Sequence, residues 1–278
     1  MTALRSLLER DGTAVIARFA ARALEDEVHT YPKPGLVSHV DTGSHHDMDY
    51  ALLCRSASTL EPFFGQLVEA GAASASMDRL RVIGIAAEQA MLAATGGVNT
   101  HRGAIFGMGL LCAAAGFRQV YSPPQSLGSI VAALWSTDIL GGPVELRSHG
   151  QEVARKHGAG GARLEAANGF PALYGHALPA LKEGTALAPD NPEAARVHTC
   201  MRLIAAVEDT NLLYRGGPEG LAFAQIEARR FLDDGGVGTP DWEMRATLIH
   251  QGFVARRLSP GGCADILAMA LFAQEMGE

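Results

Sequence analysis

The sequence predicts an all-α fold, in one compact multi-helix domain that spans residues 1–278 and surrounds a central buried helix. Apolar residues recur at helical spacing along almost the whole chain, and no convincing pair of alternating strands is present. Hydrophobic residues make up 47% of the 278 residues and aromatic residues only 6%, so aliphatic side chains that favour helix dominate. A chain of this length and composition buries a core of its own.

The first predicted helix covers residues 13–28, where apolar side chains gather on one face. Pro32 and Pro34 in the following segment HTYPKPGLV remove backbone donors and fix φ, so the chain leaves the helix there. Two further helices are predicted over 48–69 and 79–94. Each begins beside an aspartate that can accept the first free amides.

The central helix is predicted over 103–115, where the segment GAIFGMGLLCAAA is apolar on every side. This run is too short to span a membrane. Another helix follows from Ser126 to about residue 140. Residues 141–190 are the least regular part, rich in glycine and proline turns, and are predicted to form a lid or an insertion.

Four helices are predicted for the remainder of the chain. The sequence Asn191-Pro192-Glu193 supplies a cap, a first-position proline and a first-turn acid for a helix that runs to about residue 209. The other three are predicted near 218–233, 241–257 and 263–276.

The overall charge excludes two broad classes of partner. A net charge of −7 disfavours binding to nucleic acid or to an anionic membrane surface, since both require a basic surface. The four cysteines have no paired metal-binding spacing, so we expect reduced core thiols. No signal sequence or membrane span is recognised, which predicts a soluble cytoplasmic protein, and a homodimer is compatible with the sequence.

Several carboxylates lie in apolar surroundings close to predicted helix ends. Buried carboxylates are costly unless they are paired or bind a metal. Cations occur in the same short segments, so the set predicts one shared polar site. The carboxylates are Glu27, Asp47, Glu88, Asp209 and Asp265, and the cations are Lys33, Arg102 and Arg215.

A structural explanation is available for each of these residues taken alone. Glu88 is compatible with a core acid paired to an arginine from another helix. Asp47 and Asp265 are compatible with simple helix caps. Caps, however, do not require lysines and arginines in the same loops, and the complete set therefore favours a functional site.

The segment TGGVNTHRGAIF, residues 95–106, places four polar side chains between two apolar helices. Two glycines end the first helix, and Asn99 or Thr100 is predicted to cap the second. His101 and Arg102 then lie at a helix start, where free amides and the helix dipole favour an anion. This predicts a phosphate site, although the GxxxxGK[ST] pattern of a Walker A loop is absent.

Four blocks of the sequence carry most of these polar residues. They are EVHTYPKPGLVSHVDTGSHHDMD (27–49), EQAMLAATGGVNTHRGAIFGMGLLCAAAG (88–116), EDTNLLYRGGPEGL (208–221) and LSPGGCADILA (258–268). In content and order these blocks resemble the triphosphoribosyl-dephospho-CoA synthase family, the ATP:dephospho-CoA triphosphoribosyl transferases. Arg102 stands where many members of the citrate lyase type carry lysine, which, with the CADILA ending, favours the malonate decarboxylase branch over the citrate lyase branch.

The resemblance implies a pentosyl transfer between two nucleotides. The 2′-hydroxyl of 3′-dephospho-CoA attacks C1 of the ATP ribose, adenine leaves, and the triphosphate is retained. The product would be the prosthetic-group precursor for the acyl carrier protein of malonate decarboxylase or citrate lyase, passed on to the enzyme that modifies that carrier. Mg²⁺ is expected to accompany the triphosphate.

The resemblance and the residue types together predict roles for the site. Asp47, Glu88 and Asp209 are the candidate catalytic carboxylates and the candidate metal ligands, with Glu88 preferred as base because of its apolar surroundings. Lys33, His101, Arg102 and Arg215 are expected to contact phosphate groups. The remaining substrate-binding candidates are Asn99, Asn211, Glu27 and Asp265.

Two other functions are compatible with parts of the pattern. An all-α metal-dependent phosphohydrolase of the HD type would use the pair His46-Asp47, but this pair lies in a glycine-preceded loop rather than inside a helix. A non-catalytic helical scaffold would explain the apolar helices, but it leaves the carboxylates and arginines unexplained.

Overall fold

The computed structural model describes residues 2–143 and 160–278, with side chains described from residue 12 onward. Within these ranges the chain forms eleven α-helices and no β-strand, which confirms the predicted all-α class. A short π-helical turn, Leu173–Ala177, and a 3-10 turn, Gly236–Gly238, interrupt the second half.

The first five helices contain most of the predicted core. The first four are longer than their predicted counterparts, because apolar periodicity marks the buried face of a helix and not its solvated ends, and the fifth has its predicted length. Their bounds are α1 Thr2–His29, α2 Tyr50–Ala72, α3 Met77–Ala94, α4 Arg102–Tyr121 and α5 Leu127–Gly141.

The second half contains six helices. Their bounds are α6 Gly161–Ala167, α7 Leu178–Leu187, α8 Pro192–Ala206, α9 Thr210–Asp233, α10 Trp242–Ala255 and α11 Gly261–Glu275. The first two of these are short. The last four agree with the predicted positions to within a few residues, except at the start of α9.

Helix α4 is the centre of the molecule, as predicted. It packs against α1, α2, α3, α5, α6 and α11. The helix is long and apolar enough to cross a membrane, which corrects the expectation that no segment is long enough. Most of it, however, is buried inside the fold, as in the core helix of a soluble protein.

Helices α2 and α4 approach closely because glycines lie at their crossing. A Cβ atom at Gly71 would lie 1.8 Å from the carbonyl oxygen of Ala113, and one at Gly116 would lie 2.0 Å from that of Val68. No larger residue fits at either glycine without separating the helices. The crossing therefore holds α4, and the loop before it, at a fixed distance from α2.

The capping residues of three helices agree only in part with the predictions. Asp49, one of the two aspartates that could cap α2, caps it by accepting from the amide of Leu52 at 2.8 Å. Helix α3 begins two residues earlier than predicted, so Asp78, its predicted cap, lies in its first turn and pairs with Arg81. The cap position of α4 is His101, where the prediction named Asn99 or Thr100.

Helix α9 begins eight residues before its predicted start. The segment 210–216 is helical, and the chain then breaks helical geometry at Gly217, where φ is 62°, before Pro218 resumes the helix. The glycine and proline that indicated a loop in the sequence therefore mark a kink. Because of this early start, Asp209 is the capping residue of α9.

The predicted lid or insertion, residues 141–190, falls partly outside the described residues, since 144–159 are not among them. The described remainder contributes Phe170, Leu173 and Leu181 to the buried interior. Closure of this region over a ligand stays a prediction.

Candidate active site

Four helix ends meet on one side of α4. Asp265, in the first turn of α11, accepts from the amide of Ala104 at the start of α4. Asp209, before α9, accepts from the amide of Cys263 at the start of α11. Glu27, at the end of α1, lies near enough to Asp265 for their charges to interact. The fold therefore gathers residues that are up to 238 positions apart in the sequence.

Glu27 and Lys33 form an ion pair inside the protein. The Lys33 ammonium donates to the Glu27 carboxylate and, at 2.5 Å, to the Glu27 carbonyl oxygen. Lys33 is only 1% exposed, because the proline segment folds it back over the end of α1. Burial raises the pKa of Glu27, and the neighbouring Lys33 opposes that rise.

Asp209 connects two helix starts through its two carboxylate oxygens. Oδ1 accepts from the amides of Asn211 at 2.7 Å and Leu212 at 3.1 Å, and Oδ2 accepts from the amide of Cys263 at 2.8 Å. The side chain is buried. Burial raises the pKa of Asp209, while the three backbone hydrogen bonds act in the opposite direction.

The glycines of the SPGG segment allow this arrangement. A Cβ atom at Gly262 would lie 3.0 Å from the Asp209 carboxylate, and one at Gly261 would lie 2.8 Å from the Asn211 amide nitrogen. The start of α11 can therefore approach the start of α9 only because these positions have no side chain.

Asp265 lies over the start of α4. A Cβ atom at Gly103 would lie 2.0 Å from its carboxylate oxygen, so glycine is required there to admit it. The side chain is partly buried, and no ion pair to Asp265 is present among the described residues. Desolvation, followed by the negative charges of Glu27 and Asp209, raises the pKa of Asp265 well above its ordinary value.

We call Glu27, Lys33, Asp209 and Asp265 the buried carboxylate cluster. Three acids and one lysine give this cluster an excess of negative charge when all the acids are ionised. Such a site repels a phosphate and attracts a cation or a developing positive charge.

The loop before α4 holds His101 in a chain of hydrogen bonds. Thr100 donates from Oγ1 to Ser56 Oγ at 2.7 Å, and Ser56 Oγ is 2.7 Å from His101 Nδ1. The His101 amide donates to Met91 Sδ at 3.2 Å. Burial, and secondarily the nearby Lys33, lowers the pKa of His101 to about 4. His101 is therefore neutral at pH 7.

The predicted phosphate-binding amides at the start of α4 already have partners. The Arg102 amide donates to Asn99 Oδ1 at 3.2 Å, the Ala104 amide donates to Asp265, and the Ile105 amide donates to the His101 carbonyl at 2.8 Å. A carboxylate therefore already occupies this helix start. Phosphate binding at this helix start stays a prediction.

Glu88 pairs with Arg102 across the α3–α4 loop. This is the pairing with an arginine from another helix that the sequence left open. Both side chains keep a partly exposed surface, 27% for Glu88 and 36% for Arg102. The Arg102 guanidinium therefore remains at the protein surface, at the start of α4.

A second group of polar side chains lies beside the start of α11, and we call it the histidine corner. His45 Nε2 is 2.8 Å from Ser259 Oγ, and its Nδ1 is 3.3 Å from Arg215 and 3.6 Å from the Asp47 carboxylate. Arg215 also donates to the Ser44 carbonyl at 3.1 Å. Burial and Arg215 lower the pKa of His45.

The predicted site residues thus fall into three neighbouring groups. The first group is the buried carboxylate cluster with His101, and Asn211 lies beside its member Asp209. The second group, at the α3–α4 loop, consists of Glu88, Arg102 and Asn99. The third group consists of Asp47 and Arg215 in the histidine corner.

Sequence reasoning missed three residues of this site. Ser56 is fully buried on α2 and contacts His101, and Ser259 contacts His45. His250 is buried on α10, and its Nδ1 lies 2.7 Å from the Lys33 carbonyl oxygen beneath the proline segment. Ser56 and His250 each lie on an otherwise apolar helix face, which is the signal that could have identified them.

The described residues contain no group of three or more histidine, cysteine, aspartate or glutamate side chains that could hold a metal ion. This weakens the HD-type phosphohydrolase alternative, which needs such a group. The candidate ligand Asp47 is 62% exposed, whereas Glu88 is held by Arg102 and Asp209 by backbone amides. Among the described residues the candidate ligands therefore form no complete metal site by themselves, and Mg²⁺ stays a prediction.

Comparison with known proteins gives a consistent result. The family model described as ATP:dephospho-CoA triphosphoribosyl transferase matches residues 13–278. A protein of Pectobacterium atrosepticum named 2-(5''-triphosphoribosyl)-3'-dephosphocoenzyme-A synthase is 43% identical over 276 residues, covering 94% of this chain and 89% of that protein. No solved structure matches.

Two further bacterial relatives carry the same name with the qualifier "probable". The protein of Pseudomonas putida is 38% identical and covers 94% of both chains. The protein of Azotobacter vinelandii is 37% identical, covering 98% of this chain and 92% of its own.

Proposed function

The chain belongs to the ATP:dephospho-CoA triphosphoribosyl transferase family, and on that premise we propose that it transfers the triphosphoribosyl group of ATP to the 2′-hydroxyl of 3′-dephospho-CoA. The observation that carries this proposal is the buried carboxylate cluster beside exposed arginines. It combines a negatively charged centre for the reacting sugar with cations for the phosphates.

In the proposed reaction, the bond between C1′ and the acceptor oxygen forms while the bond between C1′ and adenine N9 breaks. The hydroxyl proton passes to a carboxylate, and the departing adenine takes up a proton. Positive charge develops on the ribose in the transition state, as in glycoside chemistry. The excess negative charge of the buried carboxylate cluster would stabilise that charge.

Four carboxylates are candidates for the base. Glu88, Asp47 and Asp209 follow from the sequence, but Glu88 is held by Arg102 and both oxygens of Asp209 are held by backbone amides. Asp265 is a stronger candidate than Glu88 and Asp209, because its carboxylate accepts from a single helix amide and its pKa is raised. We therefore add Asp265 to the candidate bases.

We propose that the phosphate groups contact Arg102 and Arg215. Both guanidinium groups reach the surface, Arg102 at the start of α4 and Arg215 beside the segment that leads into α11, and arginine suits the geometry of phosphate oxygens. Lys33 is committed to Glu27 and would act on the substrates only through the charge it contributes. Asn99 and Asn211 would orient the sugar or the base.

Mg²⁺ would enter bound to the triphosphate, with Asp47 as the predicted ligand whose carboxylate is most exposed. When bound, the ion would neutralise phosphate charge and thereby reduce repulsion by a protein of net charge −7. Glu88 and Asp209 would serve as ligands only if they released their present partners.

We propose the malonate decarboxylase branch over the citrate lyase branch, on the basis of Arg102. The product would then be consumed by an enzyme that attaches it to an acyl carrier protein. We further propose a cytoplasmic location and, as a candidate assembly, a homodimer.

The decisive test is to incubate the protein with ATP, Mg²⁺ and 3′-dephospho-CoA and to measure free adenine by chromatography. We expect adenine to appear only when both nucleotides are present, together with a product that retains three phosphates. Phosphate release without need for an acceptor would support the phosphohydrolase, and no turnover would support the scaffold.

The site is tested with Glu88→Gln, Arg102→Ala and Asp265→Asn. We expect Arg102→Ala to raise KM for ATP more than it lowers kcat, because a phosphate contact exists in substrate and transition state alike. Asp265→Asn should lower kcat. If all three variants retained normal adenine release, the site would be misassigned.

A further inference from the structure

We propose that His101 is a neutral hydrogen-bond donor to a ribose hydroxyl of ATP, held in one tautomer by Ser56 and Thr100, and that it does not bind phosphate. This inference rests on the proposed function for the identity of the nucleotide. Membership of the family does not by itself give a role to Ser56 or to Thr100.

The hydrogen-bond chain favours one position for the proton on the imidazole ring. Thr100 donates to Ser56 Oγ, so the hydroxyl hydrogen of Ser56 must find a different acceptor. Ser56 is fully buried, and His101 Nδ1 lies 2.7 Å away. If Ser56 donates to Nδ1, both hydroxyls are satisfied and the ring proton resides on Nε2.

The Nε2–H group then lacks an acceptor. His101 is 5% exposed, and its Nε2 atom is buried without a hydrogen-bond partner among the described residues. A buried donor without an acceptor is costly, and such groups in native structures commonly mark a place for a ligand. The imidazole therefore presents one donor next to Lys33 and the buried carboxylate cluster.

The surroundings favour a hydroxyl over a phosphate as the acceptor. Asp265 already accepts the Ala104 amide, three residues after His101, and Glu27 and Asp209 add further negative charge nearby. Lys33 is the cation of the cluster and is committed to Glu27. A phosphate at His101 would bring further negative charge close to carboxylates whose pKa values are already raised, whereas a ribose hydroxyl can accept from Nε2–H and carries no charge.

The substrate contact is tested with ATP, 2′-deoxy-ATP and 3′-deoxy-ATP, each with dephospho-CoA. His101→Asn places its amide near Nδ1 and removes the distal donor, whereas His101→Gln can keep a donor near Nε2. We expect His101→Asn to lower kcat/KM for ATP by about 10- to 100-fold and to abolish the preference for ATP over one of the two deoxynucleotides. His101→Gln should retain part of the kcat/KM for ATP and part of the preference for ATP over that deoxynucleotide.

If His101→Asn instead lowers kcat/KM equally for all three nucleotides, the contact with a ribose hydroxyl is excluded, and a phosphate contact is indicated. His198→Asn is the matched control, since His198 is also buried but packs against Gly236, away from the site. That control should leave the preference among the three nucleotides unchanged.

The positioning role of Ser56 and Thr100 is tested without turnover, by ¹⁵N NMR of histidine-labelled protein. His101→Gln identifies the His101 signals. We expect the Nε2–H tautomer in the parent protein and a mixture of tautomers in Ser56→Ala, with Thr100→Val intermediate. An Nδ1–H tautomer in the parent protein would overturn the inference, whereas failure of the proposed function would appear separately, as absence of adenine release.

Discussion

At the scale of single residues, the pair of Glu27 and Lys33 has the largest electrostatic consequence. Lys33 is buried, so water cannot replace Glu27 as the partner of its ammonium group. Arg22 and Asp26, on the same helix, form a pair at 3.6 Å whose side chains are 69% and 41% exposed. Helix α1 therefore contributes a carboxylate to a buried and to an exposed ion pair, which can be compared directly.

We expect Lys33→Met to reduce the free energy of unfolding by about 3–5 kcal/mol, because it leaves the Glu27 carboxylate buried without its cation. Arg22→Met should change it by less than about 1 kcal/mol. Urea denaturation monitored by circular dichroism measures both. The double variant Glu27→Gln/Lys33→Met should recover part of the loss; no recovery would show that Lys33 acts through packing.

His101 predicts a pH dependence of stability whose sign can be derived. Its pKa in the folded protein is about 4, below the ordinary 6.5, so the unfolded chain binds more protons between these values. The stability contributed by neutral His101 is therefore present above pH 6.5 and is lost as the pH falls towards 4.

Replacing His101 with Gln should remove this dependence. Between pH 6.5 and 4 the parent protein should lose on the order of 3 kcal/mol more than His101→Gln, as 1 pKa unit corresponds to about 1.4 kcal/mol. Urea midpoints at several pH values measure the difference. Parallel curves for the two proteins would contradict the assignment of a buried neutral histidine.

At the scale of helices, contact between α2 and α4 depends on glycine at two positions. Adding a methyl group at Gly71 or Gly116 would force it against the carbonyl oxygen of the opposite helix. Helix α3 provides the comparison, because a Cβ atom at Gly84 meets nothing within 4 Å. Helical propensity alone favours alanine at all three positions.

We expect Gly71→Ala and Gly116→Ala each to destabilise the fold by about 1–3 kcal/mol through overpacking. Gly84→Ala should stabilise it by about 0.5–1 kcal/mol. Thermal denaturation of the three variants would separate the two effects. A stabilising result at Gly71 or Gly116 would mean that the helices can move apart at little cost.

Asp209 and Asp49 cap helices in different surroundings. Asp49 is exposed and accepts one amide, whereas Asp209 is buried and accepts three, one of them from another helix. Asp49→Ala should cost about 1 kcal/mol, the usual value for a cap. Asp209→Ala should cost more than about 2 kcal/mol, because it also leaves the Cys263 amide buried without an acceptor. Equal costs in urea denaturation would argue against the shared cap.

At the scale of the whole molecule, the helical order and the central position of α4 could be predicted from the sequence. Apolar periodicity is local information, and a segment apolar on every side has to be buried. The early start of α9 could not be predicted, since Gly217 and Pro218 usually end helices, and here they produce a kink within one.

The candidate site residues can be selected from the sequence, but the contacts between them cannot. Embedded charges such as Glu27 and Asp265 are visible in the sequence because they interrupt apolar segments. Their partners depend on tertiary contacts. The pairing of Asp209 with Cys263 spans 54 positions, and that of Ser56 with His101 spans 45, so neither leaves a local pattern.

The position of Asp209 between two helix starts has a consequence for how the protein opens locally. Unwinding the first turn of either α9 or α11 would leave its carboxylate in apolar surroundings with fewer donors. The two turns should therefore open together, as one foldon, although 54 residues separate them. In native-state hydrogen exchange the amides of Leu212 and Cys263 should share one opening free energy, and Asp209→Asn should lower both by the same amount.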